Sequence, residues 1–172
     1  MAVPTSVSIQ NLSGKYNLNK KLGNDPDALL AMQGLGFIKR KAIGKVAVTM
    51  HLSQAQGADG VYRISAKNMV GDKQMSAEER ILDWQVREAE SPVGKVQAKT
   101  ELTSAGKIAD AFLASGWDSA DVIHGFATGD GWTLEQVWGF ANVAGEKRHV
   151  RKLVCVKGKE RKDFTLVYDY VN

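Results

Sequence analysis

From Gly44 to the C-terminus the chain alternates hydrophobic and polar positions with a period of two, the pattern of strands whose two faces meet different surroundings. Val46, Val48, Met50 and Leu52 alternate with Ala47, Thr49 and His51. A polar loop over 53–60 then leads into a second strand over 61–69, which predicts a hairpin. Gly71-Asp72 marks a turn, and a strand over 79–87 puts Arg80, Leu82, Trp84 and Val86 on one face before Ser91-Pro92 ends it. In 93–102, Gly94, Val96, Ala98, Thr100 and Leu102 face inward while Lys95, Gln97, Lys99 and Glu101 face solvent. The last third reads as four strands, 121–128, 132–142, 147–156 and 163–171, joined by turns at Gly129-Asp130-Gly131, Gly145 and Gly158.

Two stretches interrupt the alternation. Asp25-Pro26-Asp27 is a helix start with an N-cap and proline at the first helical position, and predicts a helix over 26–32. Gly34 and Gly36 then permit a tight turn into a second short helix, 37–43, with Phe37, Ile38 and Ala42 turned inward and Lys39, Arg40 and Lys41 in water. In 104–116, Ile108, Ala109, Phe112 and Leu113 have helical spacing, which predicts a short helix or wrapped loop covering a barrel end. With one more strand at 14–19 there are about nine or ten strands in up-and-down order, and closure removes the exposed edges of such a meander. The expected fold is mainly β: a closed or nearly closed antiparallel up-and-down β-barrel with a short helix-turn-helix lid after the first strand. Residues 11–172 form its single domain and 1–10 a flexible N-terminus.

Composition narrows the function. The 23 basic and 19 acidic residues leave a net charge of +4, spread along the chain, so nucleic acid is not an expected partner. The lone Cys155 rules out an internal disulfide and any multi-cysteine metal site, and the three histidines lack metal-ligand spacing; no metal is expected. No phosphate loop, nucleophile elbow or other cofactor motif is present, so no cofactor is expected. The N-terminus lacks a secretion-signal pattern and no apolar run reaches the roughly 18 residues needed to span a bilayer. A cytoplasmic location follows, with at most transient membrane contact.

Gly14-Lys15-Tyr16, the helical pair, and Gly34-Leu35-Gly36-Phe37 followed by Arg40-Lys41-Ala42 resemble the opening of the intracellular fatty-acid-binding proteins, members of the lipocalin-like (calycin) barrels. The match covers residues 12–44. The resemblance implies a barrel closed around a hydrophobic or amphipathic, lipid-like small molecule. That family commonly fixes a ligand carboxylate with an arginine and a tyrosine two apart on the final strand. Here that strand reads Leu166-Val167-Tyr168-Asp169-Tyr170, with the tyrosines present and the arginine missing, and 104–118 is an additional segment.

In a barrel the inward set of each strand lines the cavity. The candidate ligand contacts are Trp132, Gln136 and Trp138 on one strand, Tyr168 and Tyr170 on the last, and Arg80 and Trp84 on the strand after the second hairpin. Arg80, among apolar neighbours, either anchors a ligand or snorkels to the rim. Phe37 guards the lid. His149 and Arg151 share one face of 147–156, with Arg148, Val150, Lys152 and Val154 on the other; if the first set faces inward the cavity gains a titratable group and a cation. His124, alternating with Val122 and Phe126, reads as a satisfied core histidine.

Two small-molecule functions fit this pattern, beside a protein-interaction barrel whose aromatics pack on one another and leave no cavity. The first is intracellular binding of a hydrophobic small molecule without catalysis. The second is a cofactor-free cyclase, isomerase or pericyclase acting on a hydrophobic secondary metabolite in the same cavity, where orientation and a few hydrogen bonds suffice.

Overall fold

A computed structural model describes residues 3–171. Ten antiparallel strands form one curled sheet: β1 (Gly14–Leu18), β2 (Thr49–Gln56), β3 (Tyr62–Val70), β4 (Lys73–Ile81), β5 (Arg87–Ser91), β6 (Gly94–Ser104), β7 (Asp121–Gly129), β8 (Trp132–Val143), β9 (Glu146–Lys157) and β10 (Glu160–Val171). Their spatial order is β4-β3-β2-β1-β10-β9-β8-β7-β6-β5, so the first and last strands of the chain pair and every other neighbour is consecutive in sequence. Strands β4 and β5 lie at the two ends of this order and do not pair. The seam is drawn together by an Asp83–Glu101 bridge and by the Trp84 amide donating to the Thr100 carbonyl at 2.9 Å. The barrel is therefore nearly closed, as the strand meander requires.

The corner at this seam corrects the strand expected over 79–87. The chain leaves the sheet after Ile81, Trp84 adopts φ +59°, and β5 starts only at Arg87. A bidentate pair between Asp83 and Arg87, at 2.6 and 2.7 Å, holds the bend. Strand β2 also runs further than expected, through Gln56, because Gln54 is locked by side-chain bonds to the Leu12 amide (2.8 Å) and the Ile9 carbonyl (3.1 Å).

Of the N-terminal stretch expected to be flexible, residues 1 and 2 lie outside the described residues. Val3, Val7, Ile9 and Leu12 are buried in the main core, and the Lys147 ammonium donates to the Val7 carbonyl at 3.1 Å. The segment plugs the barrel end opposite the lid, where the turn between β2 and β3 also lies.

The lid consists of α1 (Asp27–Met32) and α2 (Phe37–Gly44). Helix α1 buries Leu29 and Met32, whereas α2 buries nothing: Phe37 is 63% and Ile38 83% exposed, contrary to their expected inward orientation. Helix α2 spans the mouth, so its apolar side chains border open space and not the core. Arg40 ties the two helices together, donating to Asp27 (3.3 Å) and to the Leu35 carbonyl (2.8 Å). An opening of about 740 Å³ lies between Gly34–Lys39 of the lid and Ser91–Gly94 of the turn between β5 and β6.

The added segment is a strap on the outside of the barrel, not a cover for its end. A turn at Ala105–Lys107 and α3 (Ala111–Ala114) place Ile108 and Leu113 against Val122, Val137 and Val154 on the outer sheet face. Asp110 caps α3, accepting from the amides of Phe112 and Leu113. Trp117 lies on Gly139, where an added Cβ would come within 2.5 Å of its ring, and its indole N–H donates to the Leu113 carbonyl at 2.8 Å. The Lys152 ammonium reaches from the sheet to the carbonyls of Phe112 (3.2 Å) and Ser115 (2.6 Å). Both faces of β9 are therefore covered, which is why its alternation did not identify an inner face.

Candidate functional site

Strand register builds the site. Tyr168 of β10 lies opposite His149 of β9, Arg151 of β9 opposite Trp138 of β8, and Gln136 of β8 opposite Gly125 of β7. On the other side Tyr16 of β1 pairs with both Tyr170 of β10 and Met50 of β2, while Arg80 and Glu78 extend from β4. These residues share the concave face, so the inner set of β9 is His149, Arg151, Leu153 and Cys155. Gly125 leaves space for its neighbour: a Cβ there would approach the Gln136 side chain to 3.2 Å.

At the centre is Trp138, 1% exposed. The Arg151 guanidinium carbon lies 3.7 Å and the Arg80 guanidinium carbon 4.9 Å from its ring centre, cation–π contacts that offset part of the desolvation of both charges. The indole N–H donates to Gln136 Oε1 at 2.7 Å, leaving the Gln136 amide NH₂ available to another acceptor. Arg80 is held by Glu78 at 3.1 and 3.2 Å and reaches the Thr100 hydroxyl at 3.4 Å, so it points inward and not to the rim. Arg151 has no carboxylate of its own: among the described residues its hydrogen bonds go to His149 Nε2 (3.2 Å) and the Met50 sulfur (3.0 Å).

An aromatic wall completes the cluster. His149 is surrounded by Tyr16, Trp138, Phe140 and Tyr168, with ring centres 5.3 to 6.4 Å away. Burial, and secondarily the Arg151 charge, pulls the imidazole well below its ordinary pKa, so it is neutral. Burial also raises the phenols of Tyr16 and Tyr168 and lowers the Arg151 guanidinium from its usual range, though an arginine remains charged. The result is a buried aromatic cluster containing fixed hydrogen-bond donors.

The structure brings together seven of the residues singled out in the sequence: Arg80, Gln136, Trp138, His149, Arg151, Tyr168 and Tyr170. Trp132 lies on the same inner face but at the lid end of β8, with its indole N–H buried and unpartnered among the described residues. Phe37 is at the mouth. Trp84 is a correction: the bend after Ile81 carries it to the outer surface, where it stacks on His124 at 4.8 Å under the Lys99 ammonium at 4.2 Å. His124 is corrected with it, being an outer-face residue between Glu101 (3.3 Å) and Glu135 (2.9 Å). The 740 Å³ opening at the lid shares no lining residue with the Trp138 cluster. Tyr16, Met50 and Glu78 were not anticipated at the site, and Thr100 was expected to face inward but not to take part in it. Glu78 had a signal, standing two residues before Arg80 and hence on its face.

No group of histidine, cysteine or carboxylate side chains with metal-binding geometry occurs among the described residues. No described helix is long and apolar enough to cross a membrane.

No family model matches the chain. Among solved structures, the barrel is similar to a brain fatty-acid-binding protein of Drosophila melanogaster (TM-score 0.52, 16% identity, 90% of this chain and 95% of that one). It is also similar to the fatty acid transporter REP1-NXSQ (TM-score 0.53, 13% identity, 94% and 96%). These likenesses establish a fatty-acid-binding-protein-like fold. Among curated proteins, the chain is 31% identical to the probable pericyclase scpY of Mollisia scopiformis, over 99% of this chain and 95% of that protein. It is 29% identical to the pericyclase pydY of an Acremonium species, over 99% and 97%. With a relationship that runs nearly end to end in both proteins, the chain belongs to the family of scpY and pydY, built on the fatty-acid-binding-protein-like β-barrel.

Proposed function

We propose that the chain binds a hydrophobic small molecule inside the barrel and accelerates a cofactor-free pericyclic reaction of it, at the cluster of Arg80, Gln136, Trp138 and Arg151. The main support is the pair of guanidinium groups over one indole, with Arg151 bonded only to an imidazole and a thioether among the described residues. A pericyclic reaction moves bonding electrons around a closed ring in one step and needs neither nucleophile nor proton relay. What a protein can add is a reactive conformation of the substrate and hydrogen bonds that draw electron density toward a carbonyl. Trp132, Trp138, Tyr168 and Tyr170 shape the folded substrate; Arg151, with Arg80 and the Gln136 amide, donates to its oxygen. Names of the two curated relatives point the same way.

The second reading, a carrier with no chemistry, is favoured by the lid and opening of a fatty-acid-binding-like barrel. Purified protein mixed with a small-molecule extract of its source cells separates the two. Loss of one compound with the appearance of an isomer supports catalysis; retention of a compound recovered unchanged supports the carrier and removes the enzyme reading.

Under either reading ligands pass beneath α2. Replacing the exposed Phe37 with glutamate is expected to change association and release rates several-fold while shifting stability by no more than about 0.5 kcal/mol, as for other exposed positions. Stopped-flow fluorescence with an amphipathic dye, set beside thermal melting, checks this. A large fall in melting temperature would instead make Phe37 part of the core.

A further inference from the structure

His149 is sealed completely inside the barrel, at 0% exposure, and the chemistry proposed above makes no use of it. Its two ring nitrogens have different partners. Nε2 lies 3.2 Å from Arg151 Nε, which can only donate, so Nε2 must carry a lone pair and no proton. Nδ1 lies 3.2 Å from the Gly139 carbonyl oxygen, which can only accept, so Nδ1 carries the proton. The neighbours thereby select one neutral tautomer, and the imidazole relays a hydrogen bond from arginine to backbone.

This has a consequence for the guanidinium. A planar group with its Nε–H fixed by His149 and its plane over Trp138 cannot rotate about its long stem. Its terminal N–H groups are then held at a set place in the cavity, one near the Met50 sulfur. Without the Nε acceptor the side chain would keep its charge and its stacking but lose its aim. Near-attack geometry is sensitive to displacements on the order of 1 Å.

We infer that His149 is a positioning residue: a permanently neutral hydrogen-bond acceptor that orients the Arg151 guanidinium toward the substrate, and not an acid, base or direct ligand contact. This deepens the proposed function and rests on it for the role of Arg151. Of the charged and titratable groups around the imidazole, Arg151 and Lys147 on β9 and Arg80 on β4 oppose its protonation, and the phenols of Tyr16 on β1 and Tyr168 on β10 are neutral. The Glu78 carboxylate of β4 acts in the opposite sense but lies beyond Arg151 and is paired with Arg80, and burial among aromatic rings adds to the opposition. Turnover should accordingly show no acid limb belonging to His149 between about pH 5 and about pH 8.

The test uses the full chain labelled with ¹⁵N. Long-range ¹H–¹⁵N spectra of the histidine ring are expected to show Nδ1 protonated and Nε2 bare throughout that pH range. The Arg151 Nε–H resonance, assigned by its loss in Arg151→Met, should persist in the wild type and in His149→Gln. A glutamine can place its carbonyl toward Arg151 and its NH₂ toward Gly139. In His149→Phe the resonance should be lost to solvent exchange, and kcat for the compound that the wild type consumes should fall about 10- to 100-fold at nearly unchanged KM, with His149→Gln restoring most of it. Titration of the ring within that range, or an equally protected Nε–H in His149→Phe, overturns the inference. If His149→Phe does not fold, the wild-type titration and His149→Gln still decide. If no compound is converted by the wild type, the catalytic reading fails while the spectra judge the orientation of Arg151 independently.

Discussion

Replacing Arg151 with methionine is expected to lower turnover by about 10²- to 10³-fold, the usual cost of removing one preorganised donor to a developing negative charge. The methionine chain reaches about as far as the arginine Nε, so it keeps the packing of the stem while the guanidinium over Trp138, the strongest donor, disappears. Stability should be unchanged or higher. Arg151 has no hydrogen-bonded carboxylate among the described residues, and its burial already lowers its hold on a proton, so the fold gains little from the charge. Isomer formation by mass spectrometry, with melting curves for both proteins, checks this. An unchanged rate would remove Arg151 from the site. A parallel loss of rate and melting temperature would make it a structural residue.

Trp117→Ala is expected to destabilise the protein by about 3 kcal/mol, at the lower end of the range for tryptophan truncation because the ring is only partly buried. The indole holds the outer strap in two ways, by its N–H bond to the Leu113 carbonyl and by its ring against Gly139. Its loss would free α3 and expose Val122, Val137 and Val154, the outer apolar row of β7, β8 and β9. Denaturant unfolding measures the cost. Because the strap lies on the opposite side of the sheet from Trp138, turnover at a temperature where the variant is folded should be near that of the wild type. A selective loss of activity with unchanged stability would show that the strap acts on the interior site.

Strand alternation, the glycine turns and the helix start at Asp25-Pro26-Asp27 were enough to specify an antiparallel barrel of about nine or ten strands with a helical lid, because a local period and local turn chemistry govern them. They also named most of the interior cluster, since Gln136 and Trp138, and Tyr168 and Tyr170, must share faces of their strands. Tertiary structure decided what depends on a second layer or a distant partner. The inner face of β9 could not be read from a strand buried on both sides, and the strap that covers its outer side is visible only once 104–118 has folded back. Trp84 left the cavity through a single left-handed residue, a bend that alternation cannot register. Phe37 and Ile38 turned outward because α2 bridges an opening and has no core beneath it. The meeting of Arg80, Trp138, His149 and Arg151, drawn from three strands, was set by register across the curled sheet. Sequence could supply each of those residues but not the closure that places two cations over one ring.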